Sequence, residues 1–168
     1  KTIGRLNTNG IGELLGLFNT GDKVLVLYNN GSYMLTSFDM SNRYIMNECH
    51  SIVKFNESEI ISILYYHGKH KSYYIKRFNI KTLVLMKNFK YIPDERGTKL
   101  ILLSMVSKPI FTFNYKNKNG IKTAGKINVE EFIDIKGWKA LGNKIIGKSK
   151  LSGFSIIESN NSSELNDS

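Results

Sequence analysis

The chain has 168 residues, 41% of them hydrophobic, with nine Tyr and nine Phe, which excludes wholesale disorder and leaves room for one ordinary domain or a few small repeated units. Its 24 Lys and Arg outnumber 14 Asp and Glu for a net charge of +10. Such an excess repels itself and calls for a polyanion, either nucleic acid or an anionic membrane face, unless a low-GC genome has merely inflated the Lys and Asn counts.

The opening KTIGRLNTNG lies in patterned sequence, with no charged-then-apolar leader and cleavage site, and reads as the start of a piece of something longer. KVLVLY, Asn29-Asn30-Gly31 and SYMLTSF form a predicted hairpin, because the Asn-Gly step accepts the positive φ of a tight turn. Cys49 is the only cysteine; it cannot close an internal disulfide, so it reads as a passive thiol in a cytoplasmic protein. IISILYY, HGKHK and SYYIKRF repeat the hairpin design, and TKLILLSM, VSKP and IFTFNYK repeat it again, followed by NKNG and IKTAGKINV. In NVEEF, Asn128 is positioned to cap one helical turn whose Glu130 and Glu131 favour the positive end of the helix dipole.

KGWKALGNK sets Trp138 between glycines and lysines. A regular strand would put Lys136 and Trp138 on one face, so a kink at Gly137 is expected, with the ring packed as an anchor and the lysine heads outward. The last eleven residues hold three acids and no base, which leaves 24 bases against 11 acids, +13, in residues 1–157. Residues 158–168 are read as a flexible polar tail. The longest apolar runs, VLVLY, IISILYY, TLVLM and LILLSM, are too short to cross a bilayer, and no membrane partner is expected.

Val24, Ile60 and Leu100 open equivalent predicted strands at spacings of 36 and 40 residues, in the range of blade-type repeats. The expectation is an all-β, propeller-like array of four-stranded blades, with a generic antiparallel barrel as the alternative. Catalytic patterns are missing: no GxSxG, no P-loop, no GxGxxG, and acids such as Glu130-Glu131 and Asp94-Glu95 that sit on turns. His67 and His70 lie three apart in a turn and Cys49 stands beside His50, which gives no four-ligand metal set; no cofactor is expected, and the histidines read as solvated turn residues. Basic residues interleaved with aromatics remain. Lys69, Lys71, Lys76, Arg77 and Lys81 flank the second hairpin, and Lys116, Lys118, Lys122 and Lys126 decorate the third. Lysines on strand edges and turns each reach a phosphate and release a counterion, so they bind duplex DNA with little base reading.

On IGRLNTNGIGELLGLFNTGDKVLVLYNNGSYMLTSFDMSNRY, YYHGKHKSYYIKRFNI and EEFIDIKGWKALGNKI, the chain resembles the carboxy-terminal domain of the A subunit of bacterial type IIA topoisomerases, the topoisomerase IV and gyrase group, over nearly all of residues 1–150. The resemblance implies a β-pinwheel, here a partial one of about three to four blades in residues 1–157, whose basic rim binds and bends DNA and presents it to the catalytic core. It implies no catalysis in this domain, since the cleaving tyrosine of that family lies in the amino-terminal part of the subunit. It implies as partners duplex DNA, the rest of the A subunit and the ATPase B subunit. The glutamine, paired-arginine and glycine motif of gyrase-type wrapping is not seen. The expected phosphate contacts are Lys69, Lys71, Lys76, Arg77, Lys81, Lys116, Lys118 and Lys122, then Arg5, Lys136, Lys139 and Lys144. The rival reading is a propeller-type protein-interaction module whose lysines serve only solvation.

Overall fold

A computed structural model gives the fold, and it describes residues 2–10, 12–145 and 150–158. In chain order the strands are β1 (Ile3–Gly4), β2 (Lys23–Tyr28), β3 (Ser32–Ser37), β4 (Tyr44–Ile45), β5 (Cys49–Lys54), β6 (Ile61–His67) and β7 (Ser72–Phe78). Then come β8 (Phe89–Lys90), β9 (Lys99–Ser104), β10 (Pro109–Lys116), β11 (Lys122–Asn128), the helical turn α1 (Val129–Phe132), β12 (Asn143–Lys144) and β13 (Ser152–Glu158). The chain divides into two units, Lys1–Glu57 with Lys81–Ile92, and Ser58–Ile80 with Pro93–Ser168.

The first unit is built on a four-stranded sheet in the order β5-β2-β3-β8, accompanied by the short pair β1-β4. β2 and β3 form the predicted hairpin, with Leu25 opposite Leu35 and Leu27 opposite Tyr33. Gly31 takes φ +82°, and a Cβ there would run into the Ile92 side chain, so both the turn and the packing beneath it require glycine. Val24 and Val26 pack with Leu6 and Tyr44 on one face, while Leu25, Leu27, Tyr33 and Leu35 are buried on the other. The Thr36 and Tyr44 hydroxyls share a hydrogen bond of 2.8 Å. The loop before β2 is held by Lys54, whose Nζ donates to the Leu17 carbonyl at 2.7 Å and pairs with Asp22 at 3.3 Å. Cys49 is half-buried against this core, and burial raises its thiol pKa, in keeping with a passive role.

The second unit carries a sheet in the order β12-β7-β6-β9 and another in the order β11-β10-β13. One face of each contributes to a common core, with Leu64, Tyr73 and Ile75 from the first and Phe111 and Phe113 from the second, closed by Val129 and Ile133. Each such large apolar side chain contributes roughly 1.5–3 kcal/mol by leaving water. The cap on α1 is as predicted: Asn128 is extended and its side chain accepts the Glu131 N–H. Asn128→Ala is expected to lower stability by about 1 kcal/mol, read as a shifted midpoint in urea unfolding with an unchanged slope.

Two expectations are corrected by the pairing. TKLILLSM and IFTFNYK do not form a hairpin: β9 pairs with β6, whereas β10 pairs with β11 and β13. The propeller-like array of blades is overturned with it. The sheets of the described residues have two, three, four and four strands, and none is closed or curled. A regular spacing means repeated blades only where the three hairpins are equivalent, and one of the three is two strands in different sheets. The all-β class stands. β13 runs to Glu158, so the expected tail loses its first residue to a strand, and residues 159–168 lie outside the described residues. Among the described residues no helix is long and apolar enough to cross a membrane.

Candidate nucleic-acid interface

β7 is an interior strand, between β12 and β6, and all seven of its residues are buried. Alternation puts Tyr73, Ile75 and Arg77 on the core side and Tyr74, Lys76 and Phe78 on the other. That other side is covered by the strap that follows α1. Lys76 Nζ donates to the Trp138 carbonyl and lies 5.2 Å from the Phe78 ring centroid. Tyr65 Oη donates to the Leu141 carbonyl at 2.5 Å, and Ile145 N–H donates to the Tyr73 carbonyl at 2.9 Å. Gly142, at φ +94°, lies where a Cβ would strike the Ile75 carbonyl oxygen, so the strap approaches the strand as closely as backbone permits. On the core side, Arg77 Nη1 donates to the Ile133 carbonyl at 3.0 Å.

Lys76 and Arg77 were expected among the phosphate contacts, and this is a correction: they are 1% and 7% exposed. Their heads serve carbonyl oxygens inside the unit, and burial pulls the Lys76 ammonium down to about 7 because the charged form is poorly solvated there. The chain breaks from strand at Gly137 as expected, but Trp138, in the turn that follows, is only half-buried; its carbonyl receives Lys76, and its ring carries the Lys139 ammonium at 5.1 Å. Lys136 is bridged to Phe78, and its N–H donates to the Arg77 carbonyl at 2.8 Å. The side chains of Lys136, Lys139 and Lys144 are exposed along this one strap.

The β10-β11 hairpin brings a second group together. Lys116 stands directly opposite Lys122, Asn114 opposite Ala124 and Thr112 opposite Lys126, while on the other edge Thr112 faces Ser155. Their neighbours Phe111, Phe113 and Tyr115 point into the core, so this row is the outward face. Lys116, Lys122 and Lys126 are exposed there, with Lys118 exposed in the turn. Like charges directly opposite one another repel, and among the described residues paired across this face none is acidic. Lys126, singled out in the sequence with Lys116, Lys118 and Lys122 but left off the ranked phosphate contacts, stands with them on this face through the i, i+2, i+4 row of Lys122, Ala124 and Lys126.

Lys69 and Lys71 are exposed on the β6-β7 turn, Lys71 at φ +51°. His67, expected to be solvated there, is 4% exposed. Burial, then the adjacent His70, holds its pKa below the usual range. Arg5 and Lys81 are exposed in the first unit. Among the described residues no three His, Cys, Asp or Glu side chains gather into a group that could hold a metal ion.

No curated protein matches the chain in a sequence search. A family profile does, over residues 5–151, and its description is the topoisomerase C-terminal domain of Bacteroidota. With that match across most of its length, the chain belongs to the family of the bacterial topoisomerase C-terminal domain.

Proposed function

We propose that residues 1–157 bind duplex DNA through exposed lysines, carry out no chemistry themselves, and bend and present the duplex to the catalytic part of a type IIA topoisomerase A subunit. That subunit is of the topoisomerase IV or gyrase kind, works with an ATPase B subunit, and is cytoplasmic. The observation that carries the reading is the outward face of β11-β10-β13, where Lys116, Lys122 and Lys126 line up with hydroxyl and amide side chains and without an acid. Lys122 and Lys126 are four residues apart, about 13 Å along an extended strand, which lets them take different phosphates. The proposed contacts are these three, then Lys118, Lys69, Lys71, Lys136, Lys139 and Lys144, with Arg5 and Lys81 in the first unit. Contacts of this kind hold the backbone of any sequence, and a bend that costs a few kcal/mol is offset by the further contacts it allows.

The test is a titration with a mixed-sequence duplex at several salt concentrations. Binding that weakens steeply and linearly in log–log form, alike for unrelated sequences, is the expected result. A second reading, a protein-interaction module, draws on Leu14 and Leu17, which are 89% and 90% exposed in the first unit. Weak retention of DNA with no salt slope would favour it.

A further inference from the structure

The β6-β7 turn is organised by a side chain. His67 Nδ1 accepts the main-chain N–H of Lys69 at 3.2 Å and of His70 at 3.1 Å. The two imidazoles are stacked, with centroids 3.8 Å apart and planes 2° from parallel, and His70 Nδ1 meets Tyr74 Oη at 2.7 Å. Gly68 N–H donates to Thr98 Oγ1 at 3.0 Å, which fastens the base of the turn. An imidazole that accepts at Nδ1 carries its proton on Nε2 and is neutral; a protonated ring has no acceptor to offer.

We propose that His67 is a positioning residue for DNA binding: its neutral ring holds the turn in the form that presents Lys69 and Lys71 to a phosphate backbone, and protonation releases that form. The proposal rests on the DNA-binding reading above. An Asn or Asp usually supplies this kind of acceptor in a turn; a histidine makes the same link dependent on pH.

The groups around the ring set the direction. His70, Lys69 and Lys71 belong to the turn itself, Glu95 comes from the segment before β9, and the rings of Tyr65 and Tyr74 lie on β6 and β7. Burial is the largest influence and opposes protonation; His70 and Lys69 add to it, while Glu95 and a hydrogen bond to the residue's own main chain work against it. The closed turn therefore binds a proton less readily than an open one, whose histidine titrates near 6.5. Closure is complete above that value and weakens as pH falls below it, by up to about tenfold per pH unit.

The experiment compares the full chain with His67→Asn, which keeps an acceptor that does not titrate, and with His67→Ala, which has none. Amide hydrogen exchange at Lys69 and His70 is read by NMR at about pH 7.5 and about pH 5.5. Wild-type protection is expected to fall at the lower pH, by at most about tenfold, His67→Asn to keep its protection, and His67→Ala to lack it at both. In duplex titrations the wild-type salt slope should flatten by up to about two phosphate contacts at the lower pH relative to His67→Asn. The same pH dependence of protection in wild type and His67→Asn overturns the proposal. Protection as expected with identical salt slopes overturns the link to Lys69 and Lys71. Failure of every protein to bind DNA at pH 7.5 would instead sink the DNA reading, while the exchange measurement, made without DNA, still passes or fails the turn.

Discussion

Replacing Lys116, Lys122 and Lys126 together by alanine is expected to flatten the salt dependence of duplex binding by about 2.7 units of log–log slope, about 0.9 for each phosphate that is no longer neutralised. Between about 50 and 200 mM salt each neutralised phosphate accounts for roughly a 3.5-fold loss of affinity, so the triple variant should be about 40-fold less sensitive over that range. The effect should be the same for unrelated sequences if, as proposed, the side chains meet phosphates and not base edges. Folding should be spared. All three side chains are exposed, and Lys116 faces Lys122 across the hairpin, so the substitutions relieve a repulsion. Fluorescence anisotropy with labelled duplex reads the slope directly. A triple variant with the wild-type slope would remove this face from the interface.

Lys76 should make the domain more stable as pH rises from 7 to 8.5. Burial lowers its ammonium to about 7 from an ordinary value of 10.5. Between those values the unfolded chain holds a proton that the folded chain has released, so unfolding takes up a proton and stability climbs with pH, by up to about 1.4 kcal/mol per unit. The window closes at its upper end where Cys49, with its pKa raised by burial from 9.0, begins to act in the opposite sense. Lys76→Met fills the same space without a charge, and its denaturation midpoint should be flat across the window. Lys76→Ala leaves a cavity in addition and should fall about 2–5 kcal/mol below Lys76→Met. Urea unfolding at three pH values checks both. Equal slopes in wild type and Lys76→Met would mean that the ammonium is not the titrating group.

The two hairpins with a distinct turn, at Asn30-Gly31 and at residues 67–71, were legible because both strand and turn signals are local. The third was not. The residues between β9 and β10 look like a turn, yet what decides their pairing is the partner each strand finds elsewhere, β6 for one and β13 for the other. Two-residue strands such as β8 and β12 leave no pattern to read, and their existence depends on the edges they cover. The candidate interface divides the same way. Exposed lysines on turns and on the outer face of a sheet follow from alternation, but alternation also predicts that a strand reading SYYIKRF has a wet side. Because β7 is covered on both faces, Lys76 and Arg77 lie inside, and what makes that tolerable is a pair of distant carbonyls at Trp138 and Ile133. Sequence alone gives no sign of that pairing. The family match rests on more of the chain than either hairpin and was legible before any of this geometry.

The late arrival of β8 has a consequence in time. The β2-β3 hairpin is complete at Ser37, but the strand that covers the β3 edge is Phe89–Lys90, and β6 and β7 of the other unit are encoded between them. At about 5–20 residues per second, those roughly fifty residues take a ribosome about 3–10 seconds to add. Throughout that interval the nascent sheet has an open edge able to pair with another chain. The first unit is therefore finished by residues made after the other unit's central hairpin, and its maturation is tied to the synthesis of strands with which it shares no sheet.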